Sequence, residues 1–140
     1  MIIKLAEEFY KIKINTSEEA YRILLIALKM QDEIDQDKEH MFVLGLKRNN
    51  CLKFIDIVST GSLTGTIVHS RETYRRAIIH SCSSIICGHN HPSGNLHPSR
   101  EDEIITKSLK EAGKIIDIPL VDHIIFTNES HFSFANEGRL

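Results

Sequence analysis

Residues 83–103, SSIICGHNHPSGNLHPSREDE, join a short apolar segment to a turn-rich loop and then to an acidic segment that is typical of a helix start. The first part, SSIICGH, is short, fully apolar at its centre and rich in isoleucine, as expected of a buried central strand. Pro92 and Gly94 interrupt this pattern, and a helix is predicted over residues 100–117. The stretch therefore predicts a strand, a loop and a helix in succession, which is a unit of a mixed sheet with helices on its faces.

The segments before this stretch predict a helix and then a β-hairpin. INTSEEAYRILLIALKMQDEID (residues 14–35) has Ser17 as a candidate N-cap, acidic residues in its first turn and apolar residues at helical spacing. We expect this helix to run from about Ser17 to Asp35. HMFVLGLKRNNCLKFIDIVSTG (residues 40–61) contains two apolar runs around Lys-Arg-Asn-Asn, which is the pattern of a hairpin.

Four further elements follow from the same patterns. GTIVHS (65–70) predicts a strand, RETYRRAIIHSC (71–82) a helix, and LVDHIIFT (120–127) with HFSFA (131–135) a terminal hairpin. The shared face expected for the helix over residues 71–82 consists of Tyr74, Ala77 and Ile78. The buried face expected for the helix over residues 100–117 consists of Ile104, Ile105, Leu109 and Ala112.

The order of these elements predicts the fold class. Helices alternate with strands, and some strands pair as hairpins, so we expect an α/β fold in the broad sense (α+β), with a mixed, antiparallel-rich sheet flanked by helices. A chain of 140 residues is long enough to bury a core without disulfide or metal, so a metal is not expected to be needed for folding. We expect an N-terminal helical extension over residues 1–35 and a main domain over residues 36–140.

The composition argues against several classes of protein. Seventeen Lys and Arg against nineteen Asp and Glu give a formal net charge of -2, so nucleic-acid binding stays possible but is unsupported by charge. The longest apolar runs, such as YRILLIAL, fall well short of the ~20 residues that span a bilayer, and no membrane role is expected. Three cysteines without CxxC spacing, and no signal-peptide pattern, predict a cytoplasmic protein.

The loop after the apolar segment carries a candidate metal site. On an extended backbone His89 and His91 project to the same side, roughly 6.6 Å apart at the backbone, so both imidazoles can bind one ion. Pro92 disfavours helix at His91 and so protects this geometry. Asp102, in the first turn of the next helix, can present a carboxylate to the same ion. Two neutral imidazoles, one carboxylate and an open fourth position are typical of a catalytic zinc site.

Each of these residues also has a purely structural interpretation. A His-x-His pair in a loop is often two surface histidines, and Ser99-x-x-Asp102 is also the pattern of a capping box. Cys87 shares its side of the strand with the first histidine, and is either an alternative ligand or a small buried residue. His97 is a loop histidine or a further ligand. His123 is expected to pack in the core or to orient a ligand.

Taken together, these features resemble a known metalloprotein superfamily. The run GHNHPSGNLHPSRED (88–102) resembles the JAMM motif of the JAB/MPN superfamily, HxHP followed by SxxD, and its HNHPSG wording is similar to the RadC family. TGSLTGTIVHSRETYRRAI (60–78) before it also resembles RadC, as do IDIPLVDHIIF (116–126) and HFSFANEG (131–138) after it. The resemblance covers about residues 39–138.

The resemblance implies a fold, a site and a reaction. The fold is a mixed sheet curled between helices, the JAB/MPN (cytidine deaminase-like) architecture. The zinc ligands that it implies are His89, His91 and Asp102. It also implies that Ser99 stabilises the oxyanion and that Glu39 is the general base, with Glu72 as the competing candidate for the base. The reaction that the resemblance implies is hydrolysis of a peptide or isopeptide bond. Zinc would support it by lowering the pKa of its bound water toward ~7.

The resemblance also bears on partners. Proteins of the RadC type usually carry a helix-hairpin-helix region ahead of this domain, a module associated with DNA binding, and residues 1–35 are too short for one. We expect the single N-terminal helix to pack on the domain or on a second copy of the chain in a homodimer. The alternative function is a non-catalytic metal-binding accessory module in DNA repair or DNA processing. A His₂Asp site also accepts iron or manganese.

Overall fold

A computed structural model of the chain describes residues 1–61 and 68–140. Within these residues the strands are β1 (Ile2–Ile3), β2 (Glu39–Leu46), β3 (Leu52–Gly61), β4 (Ser84–Asn90), β5 (Leu120–Phe126) and β6 (His131–Ser133). The helices are α1 (Ser17–Lys29), α2 (Glu33–Gln36), α3 (Ser70–Ile79) and α4 (Arg100–Ile116), with a short 3-10 helix at Glu7–Lys11. No helix in the described ranges is both long and apolar enough to cross a membrane.

The strands of the described residues form one mixed sheet in the order β1-β3-β2-β4-β5-β6. β4 and β5 are parallel, and the other neighbouring pairs are antiparallel. The parallel pair is possible because α4 lies between β4 and β5 in the chain and provides the crossover that parallel strands require. The predicted fold class, a mixed and antiparallel-rich sheet flanked by helices, is confirmed. The hairpins predicted over residues 40–61 and 120–135 are the antiparallel pairs β2–β3 and β5–β6.

Each face of the sheet is covered by helices. On one face, α1 packs its apolar side against side chains of β2, β3, β4 and β5. On the other face, α3 and α4 cover a second cluster that includes Val43, Ile85 and Cys87. Gly88 allows α1 to lie close to β4, because a Cβ at this position would overlap the Leu24 side chain. The separation of the chain at residue 36 stays a prediction.

The first helix begins at Ser17 as predicted but is shorter than predicted, and its N-cap lies one residue earlier than the sequence pattern indicates. Thr16, rather than Ser17, is the N-cap, and its side chain accepts a hydrogen bond from the Glu19 amide. α1 ends at Lys29, and a turn separates it from α2. The break is stabilised by glutamine side chains that replace intrahelical donors, since Gln31 Nε2 donates to the Ala27 carbonyl at 3.2 Å.

Two helices differ from the apolar faces that were predicted for them. In α3, Tyr74 and Ala77 are buried but Ile78 is 57% exposed. In α4, Leu109 is buried but Ile104 is 58% exposed. The buried stripe of α4 consists of Asp102, Thr106, Leu109 and Gly113. It contains polar residues because this helix packs against the candidate site, and apolar spacing cannot reveal such a stripe.

Half of the predicted strand GTIVHS, residues 65–67, lies outside the described residues. Val68 and His69 have no regular secondary structure, and Ser70 is the first residue of α3. The part of this prediction that can be compared with the structure is therefore wrong. His69 takes an extended backbone conformation as the N-cap of α3, which explains why the local pattern resembles a strand.

Candidate metal centre

The register between β2 and β4 brings Glu39 and His91 to the same place. Met41 pairs with His89 in this antiparallel ladder. Glu39 lies two residues before Met41, and His91 lies two residues after His89. In an antiparallel pair these two positions are opposite each other, and their side chains lie on the same face as that of His89. Glu39 Oε1 lies 3.7 Å from His91 Nε2. The pairing of β2 with β4 thus brings together two residues that are 52 positions apart in the sequence.

A tight turn after β4 fixes the orientation of His91. Gly94 donates its N–H to the His91 carbonyl at 3.0 Å, with Pro92 at the second position, where its fixed φ suits a turn. The chain then returns so that the Asn95 carbonyl accepts a hydrogen bond from His91 Nδ1 at 2.6 Å. Because a carbonyl can only accept, the Nδ1 atom carries the proton and Nε2 keeps a lone pair when the ring is neutral.

A capping box at the start of α4 places Asp102. Ser99 Oγ accepts from the Asp102 amide at 3.0 Å, and Asp102 Oδ2 accepts from the Ser99 amide at 2.8 Å. The other carboxylate oxygen, Oδ1, lies 3.1 Å from His89 Nε2. The structural interpretation of this motif is correct, and it does not compete with ligand binding, because the carboxylate meets both the backbone and the imidazole.

Imidazole and carboxylate atoms converge at one point. His89 Nε2 and His91 Nε2 are 2.9 Å apart, and Asp102 Oδ2 lies 3.4 Å from His91 Nε2. Glu39, His89 and His91 each offer a ligand atom, and these atoms all lie within 4.8 Å of one another. The side chains of His89 and Asp102 are almost fully buried, whereas Glu39 and His91 are partly open to solvent.

A chain of hydrogen bonds determines which nitrogen of His89 carries a proton. Thr106 donates its only hydroxyl proton to the Asp102 carbonyl at 2.6 Å. Thr106 Oγ1 must therefore accept from His123 Nδ1, which is 2.5 Å away, and His123 Nε2 is left as an acceptor. His89 Nδ1, 2.8 Å from that atom, then donates to it. The proton of neutral His89 is thus on Nδ1, and its Nε2 lone pair faces His91.

The donor set fits a divalent cation. Two nitrogen lone pairs at 2.9 Å and two carboxylate oxygens at 3.1 and 3.4 Å from them repel one another unless a cation or a proton lies among them. Two neutral imidazoles with a carboxylate match the ligands that zinc takes in catalytic sites. The second nitrogen of each imidazole is held by a hydrogen bond, as is usual for metal-binding histidines.

The electrostatics of the site follow from this crowding. Burial alone would raise the pKa of Asp102, but the hydrogen bonds that its carboxylate accepts from the Nε2 atoms of His89 and His91 when these atoms are protonated outweigh burial and hold that pKa well below its usual range. Burial alone would lower the pKa of His91, but its hydrogen bonds with Asp102 and Asn95 outweigh burial, and the pKa is raised. Burial, together with the nearby His89, lowers the pKa of His123 well below 6.5, so that this ring is neutral.

The structure brings together the three predicted ligands, His89, His91 and Asp102, and places Glu39 and Ser99 beside them. Their individual roles stay predictions. The competing base Glu72 lies on α3, where its half-exposed side chain contacts Arg71 at 3.4 Å. His97 is an exposed loop residue.

Cys87 lies in the apolar cluster under α3 and α4. Burial raises the pKa of its thiol to about 12, and the thiolate is the form that binds metals. Its position therefore favours the interpretation as a small buried residue over that of a ligand.

Sequence reasoning missed two residues of the site, Thr106 and Asn90. Thr106 lies one helical turn after Asp102, on the buried stripe of α4, and the spacing of apolar residues does not reveal that stripe. Asn90 lies between the two histidines of the motif, and its side chain binds the backbone of β2. Nothing in the local sequence indicates that contact, because its partners are 50 and 52 residues away.

A cavity of about 230 Å³ adjoins the centre. The residues that line it include His91, Pro92 and Gly94 of the loop after β4, together with Leu28 and Thr127. His91 thus joins the buried ligand cluster to a space that is open to solvent.

Comparison with known proteins identifies related chains. The model of the RadC-like JAB domain matches residues 14–139. A UPF0758 protein of Clostridium acetobutylicum is 41% identical over 137 residues, which cover 98% of this chain and 58% of the relative. A UPF0758 protein of Chlorobaculum parvum is 43% identical over 112 residues (79% and 50%), and one of Methanosarcina mazei is 38% identical over 128 residues (91% and 54%). The chain thus spans about half the length of these curated relatives.

Proposed function

The chain belongs to the RadC-like JAB domain family, and from this premise we propose that it is a zinc-dependent hydrolase of peptide or isopeptide bonds. The observation that carries the proposal is the convergence of two imidazole Nε2 atoms, 2.9 Å apart, with the Asp102 carboxylate. His89, His91 and Asp102 would hold the cation. A bound zinc ion supplies Lewis-acid polarisation of a carbonyl and acidifies water.

Glu39 is proposed as the general base. Its carboxylate lies 3.7 Å from His91 Nε2, on the side of the cluster that solvent can reach, and it comes from a different strand from the ligands. It accepts a proton from the attacking water while the water oxygen bonds to the amide carbon. It then gives this proton to the leaving nitrogen as the C–N bond breaks, so that the products are a carboxylic acid and an amine.

Ser99 is proposed to stabilise the oxyanion. Its Oγ accepts a hydrogen bond from the Asp102 amide, which leaves the hydroxyl proton free to be donated. One such donor is typically worth about 3 kcal/mol of transition-state stabilisation in other sites. The capping box holds the serine next to the ligand carboxylate, which supports this role.

The cavity beside His91 is proposed to receive part of the substrate. Its volume of about 230 Å³ suits a short segment of an extended chain rather than a folded domain. We also propose a reducing, cytoplasmic environment, because Cys51, Cys82 and Cys87 are all free thiols.

The test combines metal analysis with turnover of peptides. The zinc-loaded chain is incubated with α-linked peptides and with lysine ε-linked isopeptides, and the products are resolved by mass spectrometry. Glu39→Gln is expected to keep zinc bound and to lower turnover by about 10² to 10⁴, the usual contribution of a general base. Asp102→Asn is expected to lose both zinc and turnover. Glu72→Gln is the matched control and is expected to keep both.

Two outcomes would contradict this proposal in different ways. Turnover that survives Glu39→Gln and disappears in Glu72→Gln would transfer the role of base to Glu72. Tight zinc binding with no turnover of any peptide in the wild-type chain would favour the accessory module, in which the metal has only a structural role.

A further inference from the structure

Asn90, between the two candidate ligands of the HNH sequence, makes contacts that neither histidine makes. Its neighbours His89 and His91 project toward the metal centre, and Asn90 is only 2% exposed. Its Oδ1 atom accepts a hydrogen bond from the His40 amide at 2.8 Å, and its Nδ2 atom donates to the Lys38 carbonyl, also at 2.8 Å. These two backbone groups flank Glu39 in the chain.

The carboxamide of Asn90 takes the place of a backbone peptide at the end of the sheet. A parallel strand beside Glu39 would make the same two hydrogen bonds. It would accept from the amide of the residue after Glu39 and donate to the carbonyl of the residue before Glu39. The backbone that follows Asn90 has no N–H to offer to β2, because the His91 N–H donates to the Phe126 carbonyl on β5 and Pro92 has none. The side chain therefore extends the contact between β4 and β2 beyond the last backbone pair.

Among the described residues, the backbone of the first residues of β2 pairs with β3. Glu39 and His40 pair with Gly61 and Thr60 of β3. Strand ends fray readily when few neighbours hold them. With Asn90 on the other side, the backbone around Glu39 has partners at both edges of the strand, and Glu39 Oε1 lies 3.7 Å from His91 Nε2.

We propose that Asn90 is a positioning residue for Glu39, which holds residues 38–40 in register with β4 so that the carboxylate stays at the metal centre. The inference rests on the proposed function of Glu39 as the base. It assigns Asn90 no contact with metal or substrate. Its loss should therefore act through Glu39 and leave the affinity for the metal near that of the wild type.

The experiment uses the full chain loaded with Co²⁺, whose visible absorption spectrum reports the surroundings of the ion. Asn90→Leu removes both hydrogen bonds at similar volume, and Asn90→Asp keeps the acceptor but loses the donor. Asn136→Asp makes the same chemical change at a side chain that binds Ser17 and no residue of the centre. Glu39→Gln and the double variant with Asn90→Leu complete a cycle. Zinc affinity and amide exchange are measured on the same proteins.

Asn90→Leu is expected to reproduce the spectral change that Glu39→Gln causes, and the double variant is expected to add nothing to it. The His40 amide should exchange about tenfold faster, the equivalent of one lost hydrogen bond. The Asn136→Asp protein should match the wild type. If Asn90→Leu does not fold, Asn90→Asp decides the same comparison.

The two proposals fail in different ways. A spectrum that Glu39→Gln changes but both Asn90 variants leave as in the wild type would overturn the role of Asn90 alone. A spectrum that Glu39→Gln does not change would place Glu39 away from the ion, and would remove the proposed base together with the residue that positions it. Loss of zinc binding in Asn90→Asp would show that Asn90 supports the ligands instead of Glu39.

Discussion

At the scale of single residues, the centre is determined by the positions of protons. His89 and His91 both use Nδ1–H to donate, to His123 and to the Asn95 carbonyl, so that both Nε2 lone pairs point at the same place. A proton and a divalent cation therefore compete for one pair of atoms. Acidity and metal binding should be coupled through the same few side chains.

The stability of the metal-free protein should depend on pH through His91. Because the pKa of His91 is raised above 6.5 in the folded state, its stabilising effect is complete below that value and is lost as the pH rises through the folded-state pKa. The lowered pKa of Asp102 acts at the other end: its contribution is present above the unfolded value of 3.8 and is lost as the pH falls through the folded pKa.

The measurement is thermal unfolding with chelator between about pH 6 and 8.5, for the wild type and His91→Gln, around the unfolded pKa of histidine. Both proteins retain His123, whose lowered pKa acts in the opposite sense by destabilising the fold below 6.5, so their difference isolates His91. The stability advantage of the wild type should shrink as the pH rises. An advantage that grows with pH would contradict this assignment.

A second prediction at this scale concerns the hydroxyl of Thr106. Thr106→Val removes the acceptor that fixes the proton of His123 on Nδ1, and His89 then loses its fixed partner. Zinc affinity, measured by competition with a chromophoric chelator, should fall about tenfold, as it does when residues that orient ligands are lost. Thr73→Val is the matched control, since Thr73 is also buried and donates to a carbonyl four residues back. Equal affinities in the two variants would refute this role of Thr106.

The candidate ligands His89, His91 and Asp102 could be proposed from sequence because their spacing is short and local. Thr106 could not, because its importance depends on which stripe of α4 faces the sheet. Asn90 could not, because its contacts depend on how β2 pairs with β4. Residues that support a site through tertiary contacts leave little trace in a single sequence. Residues that lie close together in the sequence, such as the candidate ligands, form a recognisable motif.

At the scale of elements, β4 connects the two halves of the molecule. Its side chains alternate between the cluster under α1 and the cluster under α3 and α4, and the candidate ligand His89 lies near its C-terminal end. The approach of α1 to this strand depends on Gly88, where an added Cβ would lie 2.7 Å from Leu24 Cδ2. The position of the site therefore depends on a close contact between a helix and a strand.

Gly88→Ala is expected to lower the free energy of unfolding by about 1 to 3 kcal/mol, the usual cost of overpacking a core. Leu24→Ala should relieve the overlap, so that the double variant costs less than the sum of the two single changes. Leu28→Ala, another buried residue of α1, is the control and should add its cost independently. Chemical denaturation measures all the variants. Strict additivity with Leu24→Ala would show that the contact is not limiting.

The elements themselves were largely predictable, and the errors have physical causes. The strand SSIICGH and the two hairpins were found because apolar runs with turn residues between them leave few alternatives. Apolar spacing predicts Ile104 on the buried face of α4, but Thr106 and Gly113 occupy that face instead. The end of α1 at Lys29 depends on glutamine side chains that bind backbone carbonyls, an interaction that periodicity does not register.

At the scale of the whole molecule, the core and the candidate centre are largely separate. The two apolar clusters fill both faces of the sheet, whereas the imidazoles and the Asp102 carboxylate lie where β4 ends and α4 begins. The long-range contacts that define the fold are strand pairs and helix packing rather than links through the site. Folding should therefore not require the metal, although the metal should add stability when it binds.

Chelation tests this separation. In excess chelator the protein should still unfold in one cooperative transition, and free zinc at a hundred times its dissociation constant should stabilise the fold by about 2.7 kcal/mol, which raises the Tm by several degrees. Asp102→Asn should remove the zinc-dependent part of the shift and keep a cooperative transition. A chelated protein without a cooperative transition would mean that the ion is part of the fold, because the repulsion among the buried donors would then exceed what the two apolar clusters contribute.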